Sequence, residues 1–231
     1  MEPYDLSVVT ITYNEAGNIS RLLDEIWEMS QKHNIRTQII IVDDNSPDGT
    51  GRIVASIADE HPDVLLITRP VRAGIGSAYL AGIERAQGQY VVTMDADFSH
   101  PPLALAALVD KARAGYVVAG SRFLAGSGFK TSIWRKSATR ILNFFARRVL
   151  RLNIRDYTNG YIAVSQRDLS CILSAGKSVG IDPFRHTLYG VPVFSLARQL
   201  NIPTVEVEAP YQFRTSGQSK IKAITGIRLF F

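Results

Sequence analysis

Cysteine is almost absent from this 231-residue chain, with Cys171 standing alone. An internal disulfide is thereby excluded, and the composition suits a reducing compartment. No uncharged apolar run approaches the roughly 20 residues needed to cross a bilayer. The opening Met1-Glu2-Pro3-Tyr4-Asp5 is acidic and leads straight into a strand-like run, so no secretory leader is expected here. Internal repeats and low-complexity tracts are missing as well. Acidic side chains are the minority, 21 against 26 Lys and Arg, and the net charge of +5 favours anionic partners: nucleotides, nucleic acid or a membrane surface. With 46% hydrophobic and 20% charged residues the chain is not a disordered one. Its length suits one sizeable core, and a single domain over 1–231 is expected.

What is present is an alternation. Apolar, β-rich runs at Ser7 to Thr12, Gln38 to Val42, Val64 to Thr68, Tyr90 to Met94 and Tyr116 to Ala119 are separated by segments of helical period. The helices expected are Asn18 to Lys32, Thr50 to Glu60, Gly76 to Gln87 and Leu103 to Ala114, the last opened by Pro101-Pro102. This order predicts an α/β fold with a mostly parallel central sheet and flanking helices. Residues 121 to 133 are rich in Gly and Ser and read as a loop. From Ile133 to Leu152 a helix carries Phe144, Phe145, Val149 and Leu150 among Arg135, Arg140, Arg147 and Arg148. Such a helix can lie on an anionic membrane or pack on the core with a solvated basic face, and this segment alone does not choose. A last helix is expected over Ile221 to Phe231, beginning on Lys220.

Ligands of open α/β sheets bind outside the carboxyl ends of the strands. Three of those ends are polar and acidic: Thr12-Tyr13-Asn14-Glu15, Asp43-Asp44-Asn45-Ser46-Pro47-Asp48-Gly49-Thr50 and Asp95-Ala96-Asp97. Each alone has a plain explanation as a cap or a turn. Together, on one edge, they are harder to explain that way. Alternate residues of an extended backbone face the same side, so Asp95 and Asp97 converge. Paired carboxylates suit a hard cation such as Mg2+ or Mn2+, and such a cation suits a diphosphate.

These segments, with Gly74-Ile75-Gly76-Ser77-Ala78, Gly120-Ser121-Arg122-Phe123, Asp156-Tyr157-Thr158-Asn159-Gly160 and Arg214-Thr215-Ser216-Gly217-Gln218-Ser219-Lys220, resemble the inverting family 2 glycosyltransferases of GT-A (Rossmann-like) fold. Within that family the resemblance is closest to the polyprenyl-phosphate (dolichol-phosphate) mannosyltransferases. It implies a GDP-mannose donor, with Tyr13, Glu15 and Asp44 contacting the nucleoside and Thr12 and Asp43 in the same donor-binding set. It also implies Mg2+ or Mn2+ on Asp95, Asp97 and Ser99, and Arg214 and Lys220 on the departing diphosphate. A polyprenyl or dolichyl phosphate acceptor would be held by Arg122 and Arg140, with Arg135 a third candidate. Such an acceptor is already anionic near neutral pH and needs no general base. The remaining implications are an acceptor loop and membrane-facing helix over 121–152, an interface helix over 220–231, membrane-protein partner subunits and no nucleic acid. The expected location is peripheral, on the cytoplasmic face of a membrane, or anchored if the native chain continues past Phe231.

The sequence also departs from that pattern. Tyr161-Ile162 stands where relatives carry Phe-Arg, Tyr189-Gly190-Val191-Pro192 where they carry a Gln and a Glu, and Ile11 where proline is common. Glucosyl or other hexosyl transfer, a hydroxyl acceptor, and a non-catalytic nucleotide- or partner-binding homologue therefore stand as alternatives.

Overall fold

Near-continuous apolar runs mark strands covered on both faces. Two such runs, at Ser7 to Thr12 and Gln38 to Val42, become neighbours inside the sheet. A computed structural model describes residues 4–124, 148, 154–157, 159–185 and 188–209. In it β1 (Leu6–Thr12) is buried at every residue but Ile11, and β2 (Thr37–Asp43) throughout. The other strands are β3 (Val64–Thr68), β4 (Tyr90–Asp95), β5 (Val117–Ser121), β6 (Ile162–Ser165) and β7 (Thr204–Glu208). They form one sheet in the order β3-β2-β1-β4-β6-β5-β7. Only β6 runs against its neighbours, so β1 to β5 and β7 present their carboxyl ends at one edge.

Side chains alternate across the strands, and each face has its own core. Leu6 and Val8 of β1 join Leu22, Leu23 and Ile26 of α1 (Ile19–His33), Val54 of α2 (Thr50–Glu60) and Leu105, Leu108 and Val109 of α4 (Leu105–Arg113). Val9 points the other way. It belongs to the core that also holds Ala78, Tyr79 and Ile83 of α3 (Ile75–Ile83), Leu169 and Ile172 of α5 (Gln166–Ser178) and Val193, Phe194 and Leu196 of α6 (Gly190–Gln199). The helical stripe expected between residues 18 and 32 is the buried face of α1.

Two differences from expectation have local causes. The helix expected to reach Gln87 ends at Ile83, because the backbone N–H groups of Gln87 and Gly88 are drawn onto Ser7 Oγ and Gln38 Oε1. Gly88 passes so close to β1 that a Cβ there would lie 2.5 Å from Leu6 C and Ser7 N. The alternation argument assigns nothing between 154 and 209, where α5, α6, β6 and β7 lie. β6 has four residues, too few to display a period, and its antiparallel entry interrupts the repeating strand–helix order. The helices expected at 133–152 (apart from Arg148) and 220–231 lie outside the described residues, as do Arg135, Arg140, Arg214 and Lys220.

Candidate active site

The strand register brings the three polar ends level. Thr12 pairs with Asp43 and Ile11 with Asp95, so the loops after β1, β2 and β4 leave the sheet side by side. The chain moves from β1 outward through β2 and β3, then returns to place β4 on the other side of β1. That reversal opens a crevice between β1 and β4, the usual ligand position in such sheets. A cleft of about 690 Å³, its mouth included, occupies it. Thr12, Tyr13, Glu15, Asp44, Asp95 and Asp97 line the walls, together with Ile11, Ala96, Arg72 and Ile75.

The Ser46-Pro47-Asp48-Gly49-Thr50 run is the brace for the first of these loops. Three successive backbone N–H groups, of Asn14, Glu15 and Ala16, donate to Ser46 Oγ (3.0 Å), Thr50 Oγ1 (2.9 Å) and Asp48 Oδ2 (2.9 Å). Asn14 and Asn45 adopt φ of 57° and 51°, the left-handed region that asparagine tolerates best among residues with a side chain. Burial would raise the Asp48 carboxyl, but hydrogen bonds from Thr50 and Ala16 outweigh it and hold the group below its ordinary value. Asp43 is buried beneath the cleft. It accepts from Thr12 Oγ1 (2.8 Å), Ser46 N (2.9 Å) and Ser46 Oγ (2.5 Å), and so scaffolds the loops from below the lining residues. Asp44 faces the cleft and is gripped by Arg69 through Nε (2.6 Å) and Nη2 (2.5 Å). Arg69 also donates to Ser77 Oγ at the start of α3 (2.9 Å). The Arg72 guanidinium lies 3.9 Å from the centre of the Tyr13 ring, a cation–π contact across the cleft.

The acidic pair is fixed from behind. Tyr79 donates to Asp95 Oδ1 (2.7 Å), and burial, then the Asp95 charge, push its phenol well above its ordinary range, so it stays a donor. The Tyr189 hydroxyl is raised by burial and by Asp95 as well. It donates to Gly160 O (2.6 Å) and stands 3.1 Å from Thr93 Oγ1, and its ring lies 5.0 Å from that of Tyr79. Asp97 is buried and accepts from Ser99 N (3.0 Å), while Phe98 between them takes φ of 61°, a strained value for an aromatic residue. Ser99 is itself buried beside the pair. His100 accepts from the Asp95 N–H through Nδ1 (2.9 Å), which assigns its ring proton to Nε2, facing Asn159 Oδ1 at 2.5 Å.

Arg122 stands just past the end of β5, on the same sheet edge. Its Nε and Nη2 each donate at 2.8 Å to the fully buried Asp156, which also accepts from the Arg122 backbone N–H (3.0 Å). The Asp156 N–H in turn donates to Glu206 Oε1 (3.0 Å). Burial, the largest influence on Glu206, raises its carboxyl above the usual range. The structure therefore gathers seven expected residues in or against the cleft: Thr12, Tyr13, Glu15, Asp44, Asp95, Asp97 and Ser99. Asp43 lies below it, and Arg122 lies along the edge. Arg69, Arg72, Tyr79 and His100 were not legible as site residues. Arg69 and Tyr79 reach the cleft carboxylates Asp44 and Asp95 from a loop and a helix with no motif of their own, whereas His100 lies three residues after Asp97.

As a metal site the cluster is incomplete by itself. Among the described residues no three His, Cys, Asp or Glu side chains gather closely enough to hold an ion. Two carboxylates are nonetheless what Mg2+ or Mn2+ uses when substrate phosphates and water supply the rest. The donor set fits such a cation.

Residues 7–173 match the profile of Glycosyl transferase family 2. The chain belongs to that family. This family 2 glycosyltransferase is 36% identical over 186 residues to the polyprenol monophosphomannose synthase of Mycolicibacterium smegmatis, covering 76% of the chain and 69% of that protein. To the dolichol-phosphate mannosyltransferase of Saccharomyces cerevisiae it is 30% identical, over 94% of the chain and 81% of the relative. The undecaprenyl-phosphate mannosyltransferase of Micrococcus luteus is 32% identical, over 94% and 88%. Among solved structures, a mannosyltransferase from Pyrobaculum calidifontis in complex with GDP-Man and Mn2+ superposes with a TM-score of 0.59 at 22% identity. It matches 90% of the transferase, which spans 56% of that protein's length. Glucosyl-3-phosphoglycerate synthase from Mycobacterium tuberculosis superposes at 0.63 with 21% identity, over 93% of the chain and 72% of that protein. These two likenesses confirm the GT-A fold.

Proposed function

We propose that this family 2 glycosyltransferase moves mannose from GDP-mannose to a polyprenyl phosphate, with inversion and with help from Mg2+ or Mn2+. The observation that carries the reading is the set of three relatives at 30–36% identity, each named for mannose transfer to a polyprenyl carrier. The cleft supports it. Tyr13 offers a ring face, and Glu15 and Asp44 offer acceptors for the N–H and O–H groups of a nucleoside. Asp95 and Asp97, with Ser99 beside them, would hold the cation, which supplies Lewis-acid stabilisation to the leaving diphosphate. Asp43 acts beneath them as scaffold.

The reading also suits the chemistry of the acceptor. A hydroxyl acceptor would need a general base. An ionised phosphate needs none, only cations that hold it in line with the anomeric carbon. Arg122, fixed by Asp156, is our candidate within the described residues, with Arg140 as its partner and Arg214 and Lys220 on the leaving group. The whole chain would act as one catalytic domain. Among the described residues no helix is long and apolar enough to cross a membrane. Contact with the lipid acceptor is proposed through 121–152 and 220–231, at the cytoplasmic face and with membrane-protein partners where these exist.

Incubation with radiolabelled GDP-mannose, MnCl2 and a polyprenyl phosphate tests the reading, with UDP-glucose and a saccharide acceptor as parallel arms. Label should pass into the lipid extract only from GDP-mannose, and chelation by EDTA should abolish it. Label recovered from UDP-glucose would correct the sugar, and label on the saccharide would correct the acceptor. No transfer in any arm, beside a working control enzyme, would refute catalysis.

A further inference from the structure

A chain of three hydrogen bonds runs from the acidic pair to the end of β5, just before Arg122. The Asp95 N–H donates to His100 Nδ1 (2.9 Å), His100 Nε2–H to Asn159 Oδ1 (2.5 Å), and Asn159 Nδ2 to Gly120 O (2.7 Å). Every side chain in it is buried, His100 being 2% and Asn159 4% exposed. Tyr161 clamps the imidazole from one face, its ring stacked at 4.9 Å and its hydroxyl on Pro101 O (2.9 Å). At 3.9 Å, Asp95 Oδ2 is too far from Nε2 to accept its proton, so the ring serves the Asp95 backbone rather than its carboxylate.

We infer that His100 is a positioning residue with two separable duties: Nδ1 fixes the backbone of Asp95 on the donor side, and Nε2–H holds Asn159 and, through it, Gly120 on the acceptor side. The inference deepens the proposed transfer reaction and rests on it for the meaning of the two sides. The physical basis is direct. Asp95 is the last residue of β4, so the direction of its carboxylate depends on its own backbone. Gly120 stands two residues before Arg122 in the chain, so a shift at Gly120 displaces the Arg122 backbone and disturbs the three bonds by which Asp156 holds that residue. A buried polar group stripped of its partner carries the full desolvation cost, which is why each bond of the chain matters.

Two substitutions divide the duties. In His100→Asn the side-chain oxygen can occupy the place of Nδ1 and keep the Asp95 N–H satisfied, but nothing reaches Asn159. In His100→Gln the amide nitrogen can occupy the place of Nε2 and keep Asn159, while the Asp95 N–H loses its acceptor. Titration calorimetry with GDP and MnCl2 reads the donor side, steady-state kinetics with polyprenyl phosphate the acceptor side, and amide hydrogen exchange at Asp95 reads the first bond without any ligand. For His100→Asn we expect GDP–Mn2+ affinity to stay within about twofold while kcat/KM for the acceptor falls about tenfold. For His100→Gln the order reverses, with nucleotide affinity about tenfold weaker and faster exchange at Asp95. Tyr161→Phe serves as the packing control, lowering stability without separating the two constants. Equal shifts in both constants for the two histidine variants, or equal exchange at Asp95, would overturn the inference. A wild-type protein that binds no nucleotide would defeat the transfer reading instead, and the exchange measurement would still decide whether His100 fixes Asp95.

Discussion

Replacing Asp48 by alanine tests how the donor cleft is braced. The carboxylate accepts from Ala16 N (2.9 Å), Thr50 N (3.0 Å) and Thr50 Oγ1 (2.6 Å), joining the loop after β1 to the first turn of α2. Asp48 is exposed, so water recovers part of what is lost, and a cost of about 1–2 kcal/mol follows from the worth of helix-start and charge-assisted bonds. For a chain of this size that corresponds to about 2–8 °C in Tm. The pH dependence has a definite sign. The folded carboxyl sits below its unfolded value, so its contribution is complete above the unfolded pKa of 3.8 and fades as pH falls through the lower folded one. The gap between wild type and variant should be flat from pH 8 to 5 and close only below about pH 4. If half of the energy is felt by Tyr13 and Glu15, about 0.5–1 kcal/mol, nucleotide affinity falls about two- to fivefold. Urea midpoints at constant m across that pH range provide the measurement, with GDP titration beside them. A gap below about 0.5 kcal/mol at pH 7, or one that begins to close between pH 8 and 5, would refute the brace.

Tyr79→Phe removes the donor on Asp95 Oδ1, and since hydrogen bonds to charged groups are worth about 1.5–3 kcal/mol, the urea midpoint should report a loss of that order and Mn2+ affinity in the presence of GDP should weaken about tenfold. Asp156→Asn leaves the Arg122 guanidinium facing a buried neutral amide, and the urea midpoint should report a loss of about 3–5 kcal/mol. Glu206→Gln should act in the opposite direction. Its folded pKa is raised by burial, so the ionised form destabilises the fold above that value and costs nothing below the unfolded one. The variant should therefore be more stable than wild type at pH 8 and equal to it near pH 4, read again as urea midpoints.

The donor half was legible because its information is local. β1, β2 and β4 are apolar runs long enough to show their character, and the polar residues that follow them fall on one edge by topology alone. The acceptor half was less so. β6 and β7 contribute short strands after the regular alternation has stopped, and Asp156 and Asn159 matter through partners 34 and 39 residues distant. Asp43 illustrates a subtler limit. Its neighbour Asp44 faces the cleft while Asp43 turns inward to Thr12 and Ser46, a division that alternation along a strand permits but does not assign.

Two of the departures from the polyprenyl-phosphate transferase pattern, at Tyr161-Ile162 and at Tyr189 to Pro192, are neighbours in space. A Cβ on Gly190 would lie 3.6 Å from Ile162 Cδ1 and 2.6 Å from Tyr157 O, and one on Gly160 would lie 2.6 Å from the Tyr189 hydroxyl. Ile162 and Tyr189 share one core, 4% and 2% exposed. An arginine at 162 would thus bury its charge against a glycine with no carboxylate to meet it, which a packed interior does not tolerate. An apolar residue at one position therefore fits a small or aromatic one at the other. Through Tyr189 on Tyr79, and Tyr161 on His100, this rebuilt patch touches the supports of Asp95 from two directions. Its influence falls on the supports of Asp95 beneath the cleft, and it leaves both carboxylates in place.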